Sequence, residues 1–252
     1  MNTEILKIKN LTKSFNSGDQ NTQVLKNISL SVFDGEFIAI SGPSGCGKST
    51  LLNIMGLLDT PDNGDYFIDG LQVANMDSAQ RAQIRGNRIG FVFQSFNLID
   101  EYTVLENIAL PLKYRGDSLE QRNTRALDCL DKVGLSNKAQ LFPNQLSGGQ
   151  QQRISIARAL AGDSGIMLVD EPTGNLDSKN GDAVMALLQD LNQQGTTIVL
   201  VTHDPRYAAL ANRTINLRDG EIIDEDIGDE EINDSKIIDK NMNKSAEQAE
   251  VA

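Results

Sequence analysis

Nowhere in this sequence do apolar residues run for the ~20 positions that a membrane-spanning helix needs, so no span is expected. Met1-Asn2-Thr3-Glu4 has neither the basic start nor the apolar core of a signal peptide. The expectation is a protein that stays in the cytosol. Cysteine is scarce: Cys46 and Cys129 are the only two, too few for a disulfide framework. Basic charge is also short. The chain carries 23 Lys and Arg against 35 Asp and Glu, a net charge of −12. Eleven acids and three lysines between Glu221 and Ala252 supply −8 of that, which leaves −4 on the other 220 residues. A chain without a basic footprint is not built for non-specific nucleic-acid binding, and no nucleic-acid partner is expected. There is no internal repeat. What remains, 252 residues with 39% hydrophobic and 23% charged side chains, suits one large globular domain or a core with a subdomain.

The stretch around which the rest is organised is Gly42-Pro43-Ser44-Gly45-Cys46-Gly47-Lys48-Ser49-Thr50. It satisfies G-x-x-x-x-G-K-[ST] at every required place. At average residue frequencies that pattern arises by accident in about 1% of chains this long. An apolar run, Phe37-Ile38-Ala39-Ile40, leads in as a buried strand, and Leu51, Leu52, Ile54 and Met55 follow at helical spacing. Strand, glycine loop and helix together make an anion trap. Glycines let backbone N–H groups curl round phosphate oxygens, and the helix N-terminus adds partial positive charge. Lys48 is placed to reach the β- and γ-phosphates, and the Ser49 hydroxyl to hold Mg²⁺.

Residues 4–12 alternate as a strand, and Lys13 to Gln23 is polar with Gly18-Asp19 as a hairpin tip. Val24-Leu25, Ile28-Leu30 and Val32-Phe33 continue the strand material to Asp34-Gly35. This predicts a small antiparallel sheet before the phosphate loop. Tyr66-Phe67-Ile68 is a further short strand, residues 77–87 a polar helix, and Ile89–Phe93 an apolar strand stopping at Gln94. Residues 95–160 read as a helical insertion. It holds a helix through Val104, Ile108 and Leu112 broken at Pro111, an amphipathic helix from Leu119 to Val133, and a third running from Leu146–Gln150 to about Ala161. Buried strands at Ile166–Val169 and Thr196–Val201 alternate with helices at Asp182–Gln193 and Pro205–Ala211, and a hairpin closes at Asp219-Gly220. Short buried strands alternating with helices imply a mostly parallel sheet. The fold expected is α/β. It comprises a P-loop NTPase core with a mostly parallel sheet, an N-terminal antiparallel β-subdomain and an inserted α-helical subdomain, spanning 1–223. From Asp224 to the end the chain is acidic and poor in aromatics, and is expected to be a disordered tail.

Chemistry gathers at strand ends, where open α/β sheets bind ligands. Asp170 and Glu171 close the strand Ile166–Val169. Two adjacent acids there suit two roles, one on the metal's water and one on an attacking water. Gln94 ends another strand, and its amide can touch Mg²⁺ or a metal-bound water. His203, the only histidine, ends a third. It can bond a γ-phosphate oxygen and the water-side carboxylate together. Leu146-Ser147-Gly148-Gly149-Gln150 sets a serine and two glycines at a second helix N-terminus. One nucleotide does not need two such sites in one chain, but two chains about a two-fold axis could each lend one to the other.

With these residues assembled, the chain from about Ile5 to Ile223 resembles the ATP-binding subunits of ABC transporters. Phe15, Gly42–Thr50, Gln94, Leu146–Gln150, Ile166–Glu171, Asp177 and His203 occur in the family's order. Asp170 to Asp177, Leu146 to Arg153 and Leu51 to Asp59 are similar to the lipoprotein-releasing and macrolide-exporter branch. The resemblance implies an ATPase subunit with ATP and Mg²⁺ as cofactors. Phe15 stacks on adenine in place of the usual tyrosine. Gly45, Gly47, Lys48, Ser49 and Thr50 bind phosphates, with Ser49 and Gln94 on Mg²⁺ and Asp170 ordering its water shell. Glu171 polarises the attacking water and His203 senses the γ-phosphate. Ser147 and Gly149 bind the γ-phosphate on the other subunit, and Asp177 links the two sites. Cys46 stands where this branch commonly has serine, which implies sensitivity to alkylation blocked by ATP. The resemblance further implies a homodimer closing on two ATP, seated on the inner face of the membrane by a separate permease. An exporter is expected over an importer, from the Thr173-Gly174-Asn175 run and the lack of a folded regulatory domain after Ile223. A soluble member working on ribosomes or DNA is the other alternative. The cargo is not named by any residue.

Overall fold

The computed structural model describes residues 3–18, 20–162 and 164–227. It opens with two long strands, β1 (Glu4–Ser17) and β2 (Gln20–Phe33), paired antiparallel, followed by β3 (Phe37–Ser41). The phosphate-loop helix α1 (Lys48–Met55), β4 (Asn63–Ile68), β5 (Leu71–Gln72), α2 (Ser78–Arg88) and β6 (Ile89–Val92) come next. Three helices follow: α3 (Val104–Arg115), α4 (Leu119–Lys132) and α5 (Gly148–Ala161). The chain then alternates through β7 (Ile166–Asp170), α6 (Ser178–Gln193), β8 (Thr197–Val201) and α7 (Pro205–Ala208) to β9 (Arg213–Arg218) and β10 (Glu221–Ile227).

Two sheets result. One is antiparallel, in the order β2-β1-β4-β5; the other runs β10-β9-β3-β8-β7-β6, parallel except for the edge strand β10. The central strands are buried on both faces, as parallel strands under helices are. Their alternation divides the core. Ile38, Ile40, Leu168, Val199 and Val201 face the antiparallel sheet and α1. Phe37, Ala39, Met167, Val169, Ile198 and Leu200 face α3, α5 and α6.

Several boundaries differ from the expectation. The polar stretch Lys13–Gln23 is strand almost throughout, because its backbone pairs across the hairpin around Gly18, whose φ is 61°. Asp19 lies outside the described residues. The helix expected to break at Pro111 is continuous, with Pro111 inside it. A missing N–H costs about 3 kcal/mol in a helix interior, and burial of Val104, Ile108, Ala109 and Leu112 on that helix outweighs it. Helix α6 starts at Ser178 rather than Asp182, since Asp177 caps it by accepting the Asn180 N–H at 2.9 Å. Helix α7 stops at Ala208, not Ala211. Strand β10 continues to Ile227, three residues past the expected start of the tail at Asp224. Arg213 holds it there, bridging Glu36 at 2.9 Å and Glu225 at 3.0 Å. The rest of the expected tail, 228–252, lies outside the described residues.

Candidate active site

The phosphate loop leaves β3 and enters α1 through backbone that side chains resist. Gly47 caps α1 with φ 107°, and a Cβ there would sit 2.8 Å from Leu25 Cδ2 and 3.0 Å from Val24 O. Gly45 has φ 79° over open space. A Cβ on Gly42 would lie 2.1 Å from the carbonyl oxygen of Leu217. The loop is therefore pressed against β2 on one side and β9 on the other, with its N–H face left open. Lys48 is 7% exposed, and its ammonium donates to Gly42 O at 2.8 Å and Pro43 O at 2.9 Å, arching back over the loop.

An open cleft of about 490 Å³ lies above it, lined by Val24, Ser44, Gly45, Gly47, Lys48, Ser49, Thr50, Gln94, Asp170, Glu171 and His203. The strand ends of β6, β7 and β8 deliver the last four. Asp170 is part-buried, and its Oδ1 has no hydrogen-bond partner. Burial pushes its carboxyl above the ordinary range, and the neighbouring Glu171 charge adds to this, while Lys48 pulls the other way. Glu171 takes a left-handed φ of 47°, unusual for a residue with a side chain. It is held there as its N–H donates to Val201 O at 2.9 Å and its carbonyl accepts from Gly174 N at 3.1 Å. That turn brings the carboxylate to His203, with Nδ1 2.5 Å from Oε2. Gln94 packs on the same turn: a Cβ on Gly174 would meet Gln94 Nε2 at 2.6 Å.

Ser147, Gly148, Gly149, Gln150 and Asp177 do not line this cleft. They form a second face. Ser147 caps α5, its Oγ accepting the Gln150 N–H at 3.4 Å while its own N–H donates to Gln150 Oε1 at 3.1 Å. Gly149 abuts α6, where a Cβ would come within 2.5 Å of Asn180 Oδ1. Asn180 in turn donates to both Asp177 oxygens, at 2.9 and 2.6 Å, and so holds that carboxyl below the ordinary range. Phe15 stands apart from the cleft as well, on β1 opposite Thr22, with its ring 46% exposed. Cys46 is 4% exposed and packs in the core beneath the loop. Its thiol faces the interior rather than the phosphate side, which removes the ground for the expected alkylation.

Residues 25–174 match the family described as ABC transporter. The chain belongs to the ABC transporter family. It is 51% identical over 223 residues to an uncharacterised ABC transporter ATP-binding protein of Methanocaldococcus jannaschii, covering 86% of this chain and 95% of that one. It is 49% identical over 223 residues to the macrolide export ATP-binding/permease protein of Pectobacterium atrosepticum, covering 88% of this chain and 34% of that protein. The chain thus spans about a third of the length of the macrolide-export relatives it matches. Among solved structures, a dimeric post-hydrolysis state of an ATP-binding cassette bound to ADP and Pi superposes with a TM-score of 0.81. It is 48% identical and covers 88% of this chain and 98% of that one. A dimeric structure of a transporter cassette matches with the same score.

In this ABC cassette three side chains restrain the segment after Gln94, of which only Asn175 was singled out by the sequence, and then as part of the Thr173-Gly174-Asn175 run rather than for this contact. Arg158 on α5 donates to Asn97 O at 2.5 Å and Phe96 O at 2.9 Å, where both residues have positive φ. Asn175 donates to Gln94 O at 3.0 Å. Asn107 is fully buried. Its Nδ2 donates to the carbonyls of Ile99, Tyr102 and Thr103, and its Oδ1 accepts the Ile99 N–H at 2.8 Å. Nothing in the spacing of Arg158 and Asn107 marks them out. Beside the segment runs a largely apolar groove of about 780 Å³ between α2, β6, α3 and α5, lined among others by Phe91, Phe93, Leu110, Pro111 and Tyr114.

Proposed function

We propose that this cassette binds and hydrolyses ATP as the motor subunit of a transporter. The observation that carries the reading is the division of its motifs. Lys48, Ser49, Gln94, Asp170, Glu171 and His203 converge on one cleft, while Ser147, Gly149 and Asp177 lie on a face of their own. One chain therefore supplies the residues for half of each of two sites. Two copies about a two-fold axis, each with ATP against the other's Ser147–Gln150 helix start, make both sites complete. The dimeric solved relatives support the pairing of two copies.

Within a site, Lys48 exchanges its two loop carbonyls for β- and γ-phosphate oxygens, and the N–H groups of Gly45, Gly47, Lys48, Ser49 and Thr50 surround the phosphates. Phe15 stacks on the base. The Ser49 hydroxyl, the Gln94 amide and the unpartnered Asp170 Oδ1 are oxygen donors on one cleft, and they fit Mg²⁺, which prefers oxygen ligands and keeps several waters. Bound there, the ion would neutralise charge on the phosphate oxygens. Glu171 accepts a hydrogen bond from the attacking water and receives its proton. His203 donates its Nδ1–H to that carboxylate and orients it, and as an imidazolium, with both ring nitrogens donors, it also holds a γ-phosphate oxygen through Nε2–H.

The reading extends to a membrane permease. No helix among the described residues is long and apolar enough to cross a membrane, so the permease is not built from them. The apolar groove beside the Gln94 segment, with Tyr114 85% exposed on its rim, is the docking face for a cytoplasmic helix of that partner. Docking would hold the cassette peripherally at the inner face of the membrane. The relatives' names favour export. Division of the chain into a cassette with a helical subdomain at about 95–160 and an acidic tail belongs to this proposal.

The test is size-exclusion chromatography of Glu171→Gln with ATP and Mg²⁺ beside the wild type. An ATP-dependent dimer with hydrolysis lowered by about 10²-fold or more is expected. A monomer that still hydrolyses ATP would remove Glu171 from its role and the two-fold arrangement with it.

A further inference from the structure

One face of the Phe15 ring is already occupied. The Lys13 ammonium lies 5.2 Å from the ring centroid, within cation–π range. This lysine is no mobile surface side chain. It is 8% exposed, and Nζ donates to Asp59 Oδ1 at 2.8 Å and to Thr60 O at 2.7 Å. Asp59 belongs to the turn that ends the phosphate-loop helix, its N–H donating to Asn53 O at 3.2 Å and its Oδ1 also accepting the Thr60 N–H at 2.7 Å. A second staple lies next to the first. Ser14 N–H donates to Asp62 Oδ2 at 2.6 Å, and Asp62 N–H donates to Thr12 O at 2.9 Å. The strand that presents Phe15 is thus tied on both sides of Lys13 to the segment leaving α1.

A buried ammonium is costly to keep, and an apolar side chain would fill the same space without that cost. The charge has a use if the ring above it must stay in one place. We infer that Lys13 is a positioning residue for the nucleotide base. It holds the Phe15 ring in one orientation and, through Asp59, at a set distance from the phosphate loop. This rests on the reading of Phe15 as the base platform. An unheld phenyl would lose rotamer freedom when a base stacks on it, whereas a held one has already lost it. The ligand class is a nucleoside triphosphate recognised by the face of its base. The phosphates are bound elsewhere and do not depend on Lys13.

The experiment measures equilibrium binding of ATP and of inorganic tripolyphosphate to wild type, Lys13→Met, Lys13→Arg, Asp59→Asn and Phe15→Ala, with thermal melts to establish folding. Lys13→Met is expected to weaken ATP about fivefold and to leave tripolyphosphate unchanged. Lys13→Arg should retain ATP affinity, Asp59→Asn should show a smaller loss of the same sign, and Lys13→Met should add nothing in a Phe15→Ala background. If Phe15→Ala weakens ATP while Lys13→Met and Asp59→Asn do not, the platform stands and the lysine has no part in it. Equal loss of ATP and tripolyphosphate in Lys13→Met would also overturn the inference, because the effect would then lie in the loop. If Phe15→Ala leaves ATP affinity intact, the platform reading itself fails, and this inference with it.

Discussion

Asp170→Asn should make the nucleotide-free protein more stable while abolishing its ATPase activity. The wild-type carboxylate is part-buried, has one oxygen without a partner and sits beside Glu171. Asn keeps a polar atom at this position, so the gain comes from removing the charge: an unsatisfied buried polar group costs about 1–3 kcal/mol, and more when it is charged. Because Asp170 is only part-buried and Lys48 offsets some of the cost, the lower end, about 1 kcal/mol, is appropriate. For a chain of this size that corresponds to a rise in Tm of about 2–4 °C. The pH dependence gives the sign. A carboxyl whose folded pKa is raised binds more protons in the folded state, so its contribution to stability is greatest below the ordinary carboxyl range and is lost as pH rises through the raised value. The advantage of the uncharged Asn should therefore be largest at neutral pH and should close as pH falls towards about 4. Calorimetry of both proteins across that range measures it. With ATP and Mg²⁺ the order should invert, because the wild type gains ligand stabilisation that the variant lacks. A variant less stable than wild type at neutral pH, or an advantage independent of pH, would refute the reasoning.

Two further outcomes can be checked on the protein alone. Asn107→Ala strips the Tyr102 carbonyl and the Ile99 N–H of the partner that this fully buried side chain gives them, while Ile99 O keeps the Tyr102 N–H and Thr103 O keeps the backbone N–H of residue 107. It should cost about 3 kcal/mol and lower Tm by about 6–12 °C in a thermal melt; a fall under about 2 °C would mean that water replaces the side chain at no cost. Cys46 and Cys129, 4% and 1% exposed, should resist iodoacetamide in the native protein and react together on unfolding, as followed by mass spectrometry. Rapid native labelling of Cys46 that ATP prevents would place the thiol on the phosphate side after all.

The sequence by itself determined the local chemistry of this protein. Gly42–Thr50, Asp170-Glu171 and the Leu146–Gln150 helix start were legible because each depends on residue types at fixed short spacings. The same holds for the buried strands, whose apolar runs need no knowledge of their neighbours. The continuity of α3 through Pro111 was not legible, because local propensity argues for a break and only burial of Val104, Ile108 and Leu112 against α4 and α5 overrides it. The polar hairpin residues 13–17 became strand because backbone pairing, not side-chain pattern, holds them. Tertiary structure alone turned Cys46 inwards, set Arg158 and Asn107 on the Gln94 segment, and brought Lys13 to Asp59, 46 residues away. It also decided the division on which the proposed function rests. Strand order β3-β8-β7-β6 gathers Lys48, Glu171, His203 and Gln94 at adjacent strand ends, while the packing of α5 on α6 sends Ser147 and Gly149 to another face. Spacing along a chain carries no record of which ends of a sheet meet. That is settled by how the strands pair and how the helices cover them.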